Sequence, residues 1–180
     1  MLSPGIVASK AASFKVTTGE PNGANSKRLE GLARTLAGSG IGIELSDHIE
    51  VDLWDKFVAA CYSLGLSALT RATLAQIHAH AESETLALEL MREVVAVGRA
   101  RGIELPEGTP ARWLAYSRAR AAVNPELAGS MHFDVLQGRR LELEAMNGAV
   151  VRLGRELGVP TPLNFAVYAG LLPFANGKPS

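Results

Sequence analysis

The sequence predicts a mainly α protein, an all-α helical domain preceded by a short α/β segment. Three observations carry this. From Asp47 onward, apolar residues recur every three or four positions, the period of a helix with one buried face. Three later segments open alike, with Thr109-Pro110, Asn124-Pro125 and Thr161-Pro162. Each sets a capping side chain before a proline whose missing N–H costs nothing at the first helical position. Residues 1–46 have a different texture, short alternating or apolar runs bounded by turn residues.

In order, Gly5-Ile6-Val7-Ala8, Phe14-Lys15-Val16-Thr17 and Ile41–Leu45 read as strands. The turn around Asn22-Gly23 follows the second of them. Asn25 or Ser26 then caps a helix carrying Leu29, Leu32, Ala33 and Leu36, stopped by Gly38 or Gly40. Asp47 with Glu50 resembles a capping box opening a helix through Val51, Trp54, Phe57, Val58, Cys61 and Leu64. A second long helix is expected near Ser83–Arg101. Another is expected near Leu141–Leu157, with Leu143, Met146, Val150, Leu153 and Leu157 in register and Asn147-Gly148, two poor helix formers, inside it. The division is therefore 1–46 and 47–180.

Composition narrows the function classes. The 180 residues carry 18 Lys and Arg against 18 Asp and Glu, and 47% are apolar. Zero formal charge without a basic cluster argues against nucleic acid as the main partner. No run of roughly 18 uncharged apolar residues marks a membrane span, and no segment near Met1 has the apolar core of a signal peptide. One cysteine, Cys61, forms no internal disulfide, so a soluble, cytoplasmic protein is expected.

Few residues announce chemistry. His78 and His80, two apart, point to different faces of a helix, so no metal site is expected. Cys61 falls on an apolar face and reads as a small buried hydrophobe. Gly38-Ser39-Gly40 leads from helix to strand, the reverse of a phosphate-cradling loop, and no Ser/His/Asp arrangement is legible. Lys56, flanked by apolar residues, reads two ways. It either lines a cleft wall, where desolvation would make it a proton donor, or extends to solvent beside Asp52 and Asp55. Glu142 and Ser130 are both consistent with ordinary helix starts. Gly148 permits close approach of another helix, and Asn147 is polar beside an apolar stripe.

Ser130-Met131, Asp134–Arg140 and Glu142–Gly148, continued by Val150–Pro162, resemble the C-terminal signature of the ketopantoate reductases. Leu53-Trp54-Asp55-Lys56-Phe57 is similar to the segment that carries that family's catalytic lysine. The resemblance implies a helical domain of the 6-phosphogluconate dehydrogenase C-terminal type, preceded by the tail of a Rossmann sheet. It also implies NADPH-dependent reduction of a 2-keto acid, with Lys56 as general acid, Glu142 beside the cofactor and reacting group, and Ser130 on the substrate carboxylate.

Two departures qualify it. The family's asparagines four and eight residues after the lysine are Ala60 and Leu64 here, which suits a bulkier or more apolar substrate. The glycine-rich dinucleotide loop is absent, so the isolated chain is expected to bind NADPH poorly and to be inactive alone. A homodimer, or association with a nucleotide-binding domain, would complete it. The alternative is a helical binding or dimerisation module that has lost the reaction.

Overall fold

The computed structural model describes residues 14–178, so the strand expected at Gly5–Ala8 lies outside the described residues. The chain divides after Asp52 into two compact units. In the first, β1 (Phe14–Thr18) and β2 (Ile41–Leu45) pair in parallel, Phe14 opposite Ile41 and Thr18 opposite Leu45, joined through helix α1 (Lys27–Ala37). Parallel neighbours require such a crossover. Ser26 is the α1 cap, its hydroxyl accepting from the Leu29 N–H at 3.3 Å, and Gly38 closes the helix. Glu20 anchors this start, accepting from Ser26 Oγ at 2.5 Å and Arg28 Nε at 2.8 Å.

Helix α2 (Ile49–Thr70) begins at the end of this unit. The expected Asp47–Glu50 capping box does not form. The Asp47 carboxylate is taken by the His48 ring. Ser46 serves the helix start instead, accepting from the His48 N–H at 3.1 Å and donating to Asp52 at 2.5 Å.

The second unit is helical. It comprises the rest of α2, then α3 (Leu74–His78), α4 (Ala81–Ala100), α5 (Thr109–Val123), α6 (Ser130–Gln137), α7 (Asn147–Leu157) and α8 (Pro162–Leu171). α2 is its axis because Val58, Cys61, Tyr62, Leu66 and Ala68 are buried on several sides of the helix. Trp54 lies edge-on to Phe57 and donates its indole N–H to the Val94 carbonyl. Only glycine fits beneath it, since a Cβ on Gly98 would come within 2.8 Å of the indole carbons. Among the described residues no helix is long and apolar enough to cross a membrane.

Two helix starts differ from the sequence reading. Asn124-Pro125 opens no helix; Asn124 instead ends α5, and its carbonyl accepts from Leu127 in a turn. Leu127 is then held by its carbonyl accepting from the Leu74 N–H at 2.7 Å, a long-range bond that keeps the segment non-helical. The helix expected from Leu141 starts only at Asn147. The Leu141 N–H is drawn to the Ala175 carbonyl, and Met146 takes a non-helical backbone. Asn147-Gly148 therefore lie in the first turn, where their low helix propensity matters little.

Neither Thr109 nor Thr161 caps with its side chain. The N-terminus of α8 is capped from α4, by the Glu93 carboxylate accepting from the Leu163 and Asn164 N–H groups, each at 2.8 Å. Gly148 meets the expectation of close approach, a Cβ there lying 3.0 Å from the Tyr168 ring.

Candidate functional site

α2 and α5 face one another across a cavity of about 290 Å³. α2 contributes Lys56, Ala59, Ala60 and Ser63, spaced to share one face, with Tyr62 at its edge. α5 contributes Trp113, Tyr116, Ser117 and Arg120, again one face. Leu74 of α3 and Leu127 close the remainder with apolar carbon.

Two side-chain brackets hold the walls together. At one end Asp55 accepts from Arg112 at 2.5 Å and from the Thr109 hydroxyl at 3.4 Å. Further along, the Ser117 hydroxyl meets His78 Nε2 at 2.9 Å, and His78 Nδ1 lies 2.9 Å from Glu84. Arg118 reaches both Glu84 oxygens, at 2.8 and 2.6 Å. That arm, first, and the His78 contact hold the Glu84 carboxyl below its usual range. This Ser–His–carboxylate row was not legible from residue spacing. Here it is structural, because Ser117 sits mid-helix, where neighbouring backbone N–H groups are committed to the helix and offer no oxyanion site.

Lys56 pairs with neither Asp55 nor Asp52. Both carboxylates that might have paired with it are engaged elsewhere, Asp55 with Arg112 and Asp52 with Ser46 and His48. Lys56 is exposed at the cavity edge and has no ion-pair partner among the described residues.

Two buried donors on residues lining this cavity also lack partners among the described residues, the Tyr62 hydroxyl and the Trp113 indole N–H. Burial pushes the Tyr62 phenol up, so it stays protonated and able to donate. The Ser117 hydroxyl opposes that rise, but the two groups do not meet in hydrogen-bond geometry. Trp113, Tyr116 and Arg120 were not singled out from the sequence. Their spacing on one helical face was the available signal, and only α2 lying opposite gives it meaning.

Glu142 is exposed in the turn before α7 and lines a separate hollow of about 380 Å³ with Arg140, Glu144 and Asn176. Ser130 opens α6 and is exposed; it lines neither hollow. It is nevertheless placed against α2, because the preceding Gly129 donates its N–H to Ser67 Oγ and packs on Leu64. His132, buried, adds a contact to the Ser67 carbonyl at 3.2 Å. Cys61 is fully buried and its thiol is pushed up by desolvation, which makes it inert.

Residues 48–173 match the family described as Ketopantoate reductase PanE/ApbA C terminal. The chain is a member of the ketopantoate reductase family. The 2-dehydropantoate 2-reductase of Mesorhizobium japonicum is 34% identical over 155 residues, covering 86% of this chain and 46% of that protein. A solved PanE/ApbA family ketopantoate reductase from Ralstonia eutropha superposes with a TM-score of 0.78 at 27% identity, over 91% of this chain and 52% of that one. D-mandelate dehydrogenase, solved with NADH and anilino(oxo)acetate, shares the fold at a TM-score of 0.71 and 21% identity, covering 89% and 85% of the two chains. The chain spans about half the length of the curated ketopantoate reductases it matches. The family, an oxidoreductase family, and the helical class expected from the two-part motif are both confirmed.

A dinucleotide cofactor is implied for the family, and the Gly-Ser-Gly stretch is not a cradle for its pyrophosphate. Gly38-Ser39-Gly40 joins α1 to β2, helix to strand, so no helix N-terminus follows the glycines.

Proposed function

We propose that this chain supplies the substrate-binding and proton-donating part of a reductase that converts a 2-keto acid to the 2-hydroxy acid. Hydride would come from NADPH held outside residues 48–173; the chain's own residues do the binding and the proton transfer. Lys56 is the general acid, donating an ammonium proton to the keto oxygen as it becomes an alkoxide. Ser130 binds the substrate carboxylate, and Glu142 acts beside the cofactor and the reacting group. The unit 47–180 carries these residues and 1–46 is the remnant of a nucleotide-binding sheet. We place the assembly in the cytoplasm, as a homodimer or joined to a nucleotide-binding domain.

The observation that supports this best is the state of Lys56. A lysine whose neighbouring carboxylates are already bracketed to other groups has its ammonium free for a ligand at the cavity it borders. Ala60 lines the same cavity with a methyl group where amide-bearing relatives would hydrogen-bond, which favours a substrate with an apolar middle.

The test is reconstitution. The chain is assayed for NADPH oxidation with a panel of 2-keto acids, alone and after fusion to the nucleotide-binding half of the Mesorhizobium japonicum relative. Activity is expected only in the fusion. Lys56→Met should lower kcat by about 10²- to 10⁴-fold, the usual worth of a positioned general acid. Its melting temperature should be unchanged, since Lys56 is exposed. Retained turnover in Lys56→Met would overturn the assignment.

A further inference from the structure

We infer that the cavity between α2 and α5 selects an elongated dianion, a 2-keto acid whose side chain ends in a second carboxylate bound by Arg120. The inference rests on the reductase reading for the keto end and on independent geometry for the far end.

The cavity carries two cations without ion-pair partners among the described residues, Lys56 and Arg120. Arg120 instead lies over the Tyr116 ring, its guanidinium 5.8 Å from the ring centre. Stacking of this kind leaves the N–H fork free for a carboxylate.

The bracket at Asp55 sets Lys56 level with the first turn of α5. Asp55, next to Lys56, is gripped by Arg112 at the start of α5. Arg120 lies eight residues later on α5, roughly 12 Å along the helix axis at 1.5 Å per residue. The keto oxygen and carboxylate of a 2-keto acid sit on adjacent carbons, so one such group does not span the interval. A ligand satisfying both cations has an acceptor at each end.

The stretch between them fits the body of such a ligand. Ala59, Ala60, Leu74 and Leu127 present carbon to methylene groups. The orphan donors Trp113 Nε1 and Tyr62 Oη sit on two residues that line the same cavity, though the atoms themselves are covered. Buried donors without partners are rare, because each forfeits a hydrogen bond it made in water.

The full chain is titrated with 2-oxoadipate and with 2-oxohexanoate, a monoanion of equal chain length, and binding is followed by nuclear magnetic resonance of the two indole N–H groups. Trp113→Phe assigns the two signals. The expected result is that 2-oxoadipate binds at least about tenfold more tightly, the worth of a charged hydrogen bond. The Trp113 signal should move as a ligand fills the cavity beside its ring. The Trp54 signal should stay, since that N–H is already bonded to Val94. Arg120→Gln should abolish the preference for the dianion, and Arg120→Lys should restore part of it. Equal affinity for the two acids, a preference that survives Arg120→Gln, or no saturable binding at millimolar concentration would each overturn the inference. If the dianion preference fails while the fusion still reduces 2-keto acids through Lys56, the inference about Arg120 falls and the reductase reading stands.

Discussion

Asn164 gives the sharpest test of how the helical unit is held together. It is fully buried, and its amide donates to the Leu90 carbonyl at 3.1 Å and to Glu93 at 2.8 Å. Its oxygen accepts from Asn147 at 2.9 Å. Asn164→Ala removes all three bonds but keeps the backbone N–H on Glu93. Two neutral bonds at about 1 kcal/mol each, one bond to a carboxylate at about 1.5 kcal/mol and a small cavity together give about 4 kcal/mol. For a unit of this size that corresponds to a fall in Tm of roughly 15 °C. Thermal and urea unfolding followed by far-ultraviolet circular dichroism measures it. Asn164→Asp should be worse at neutral pH, because it sets a carboxylate against Glu93, and should recover partly in acid as one of the pair is protonated. A loss below about 1 kcal/mol for the alanine variant, or an Asp variant indifferent to pH, would refute the reasoning.

Two further outcomes follow from the buried groups. Native Cys61 should resist iodoacetamide and react only as fast as the chain unfolds, because burial removes access and raises the thiol's pKa; rapid stoichiometric labelling would contradict its placement. Glu84 has its carboxyl lowered in the fold from a usual value near 4.5, so it stabilises the protein above that pH and the contribution fades as pH falls through the folded value. The wild-type Tm should therefore decline more steeply below pH 5 than that of Glu84→Gln, and parallel declines would show that the Arg118–Glu84–His78 bracket contributes nothing.

Much of the fold was legible because its signals are local. Ser26 caps α1, the alternation of 41–45 makes β2, and the apolar run of α2 places that helix at the centre. The errors share a cause: the deciding partner lies far along the chain. Asn124-Pro125 looks like a helix start until Leu127 is seen paired with Leu74, and Leu141 looks helical until its N–H is seen on Ala175. α8 looks capped by Thr161, but the capping oxygens come from Glu93, some seventy residues earlier. At the candidate site, the flanks of Lys56 left two readings open and the family resemblance singled it out, whereas the Trp113–Arg120 face had a visible period and no visible purpose.

The distribution of satisfied and unsatisfied polar groups separates support from function. Around Asn147, Asn164 and Glu93 the buried donors are partnered, and the chain accepts a long-range network to achieve it. Three buried polar atoms among the described residues go without. One, Asn147 Oδ1, packs against the backbone of Gly65, where a Cβ would collide with the amide and with Val167. Close Cα–H contact there offsets part of the missing bond. The other two, on Tyr62 and Trp113, belong to residues lining the cavity that Lys56 and Arg120 border. A fold that bonds a buried amide across four helices has no evident difficulty in meeting donors where stability is the aim. Leaving two of them open on the walls of a cavity with two unpaired cations costs stability that the network around Asn164 does not forfeit.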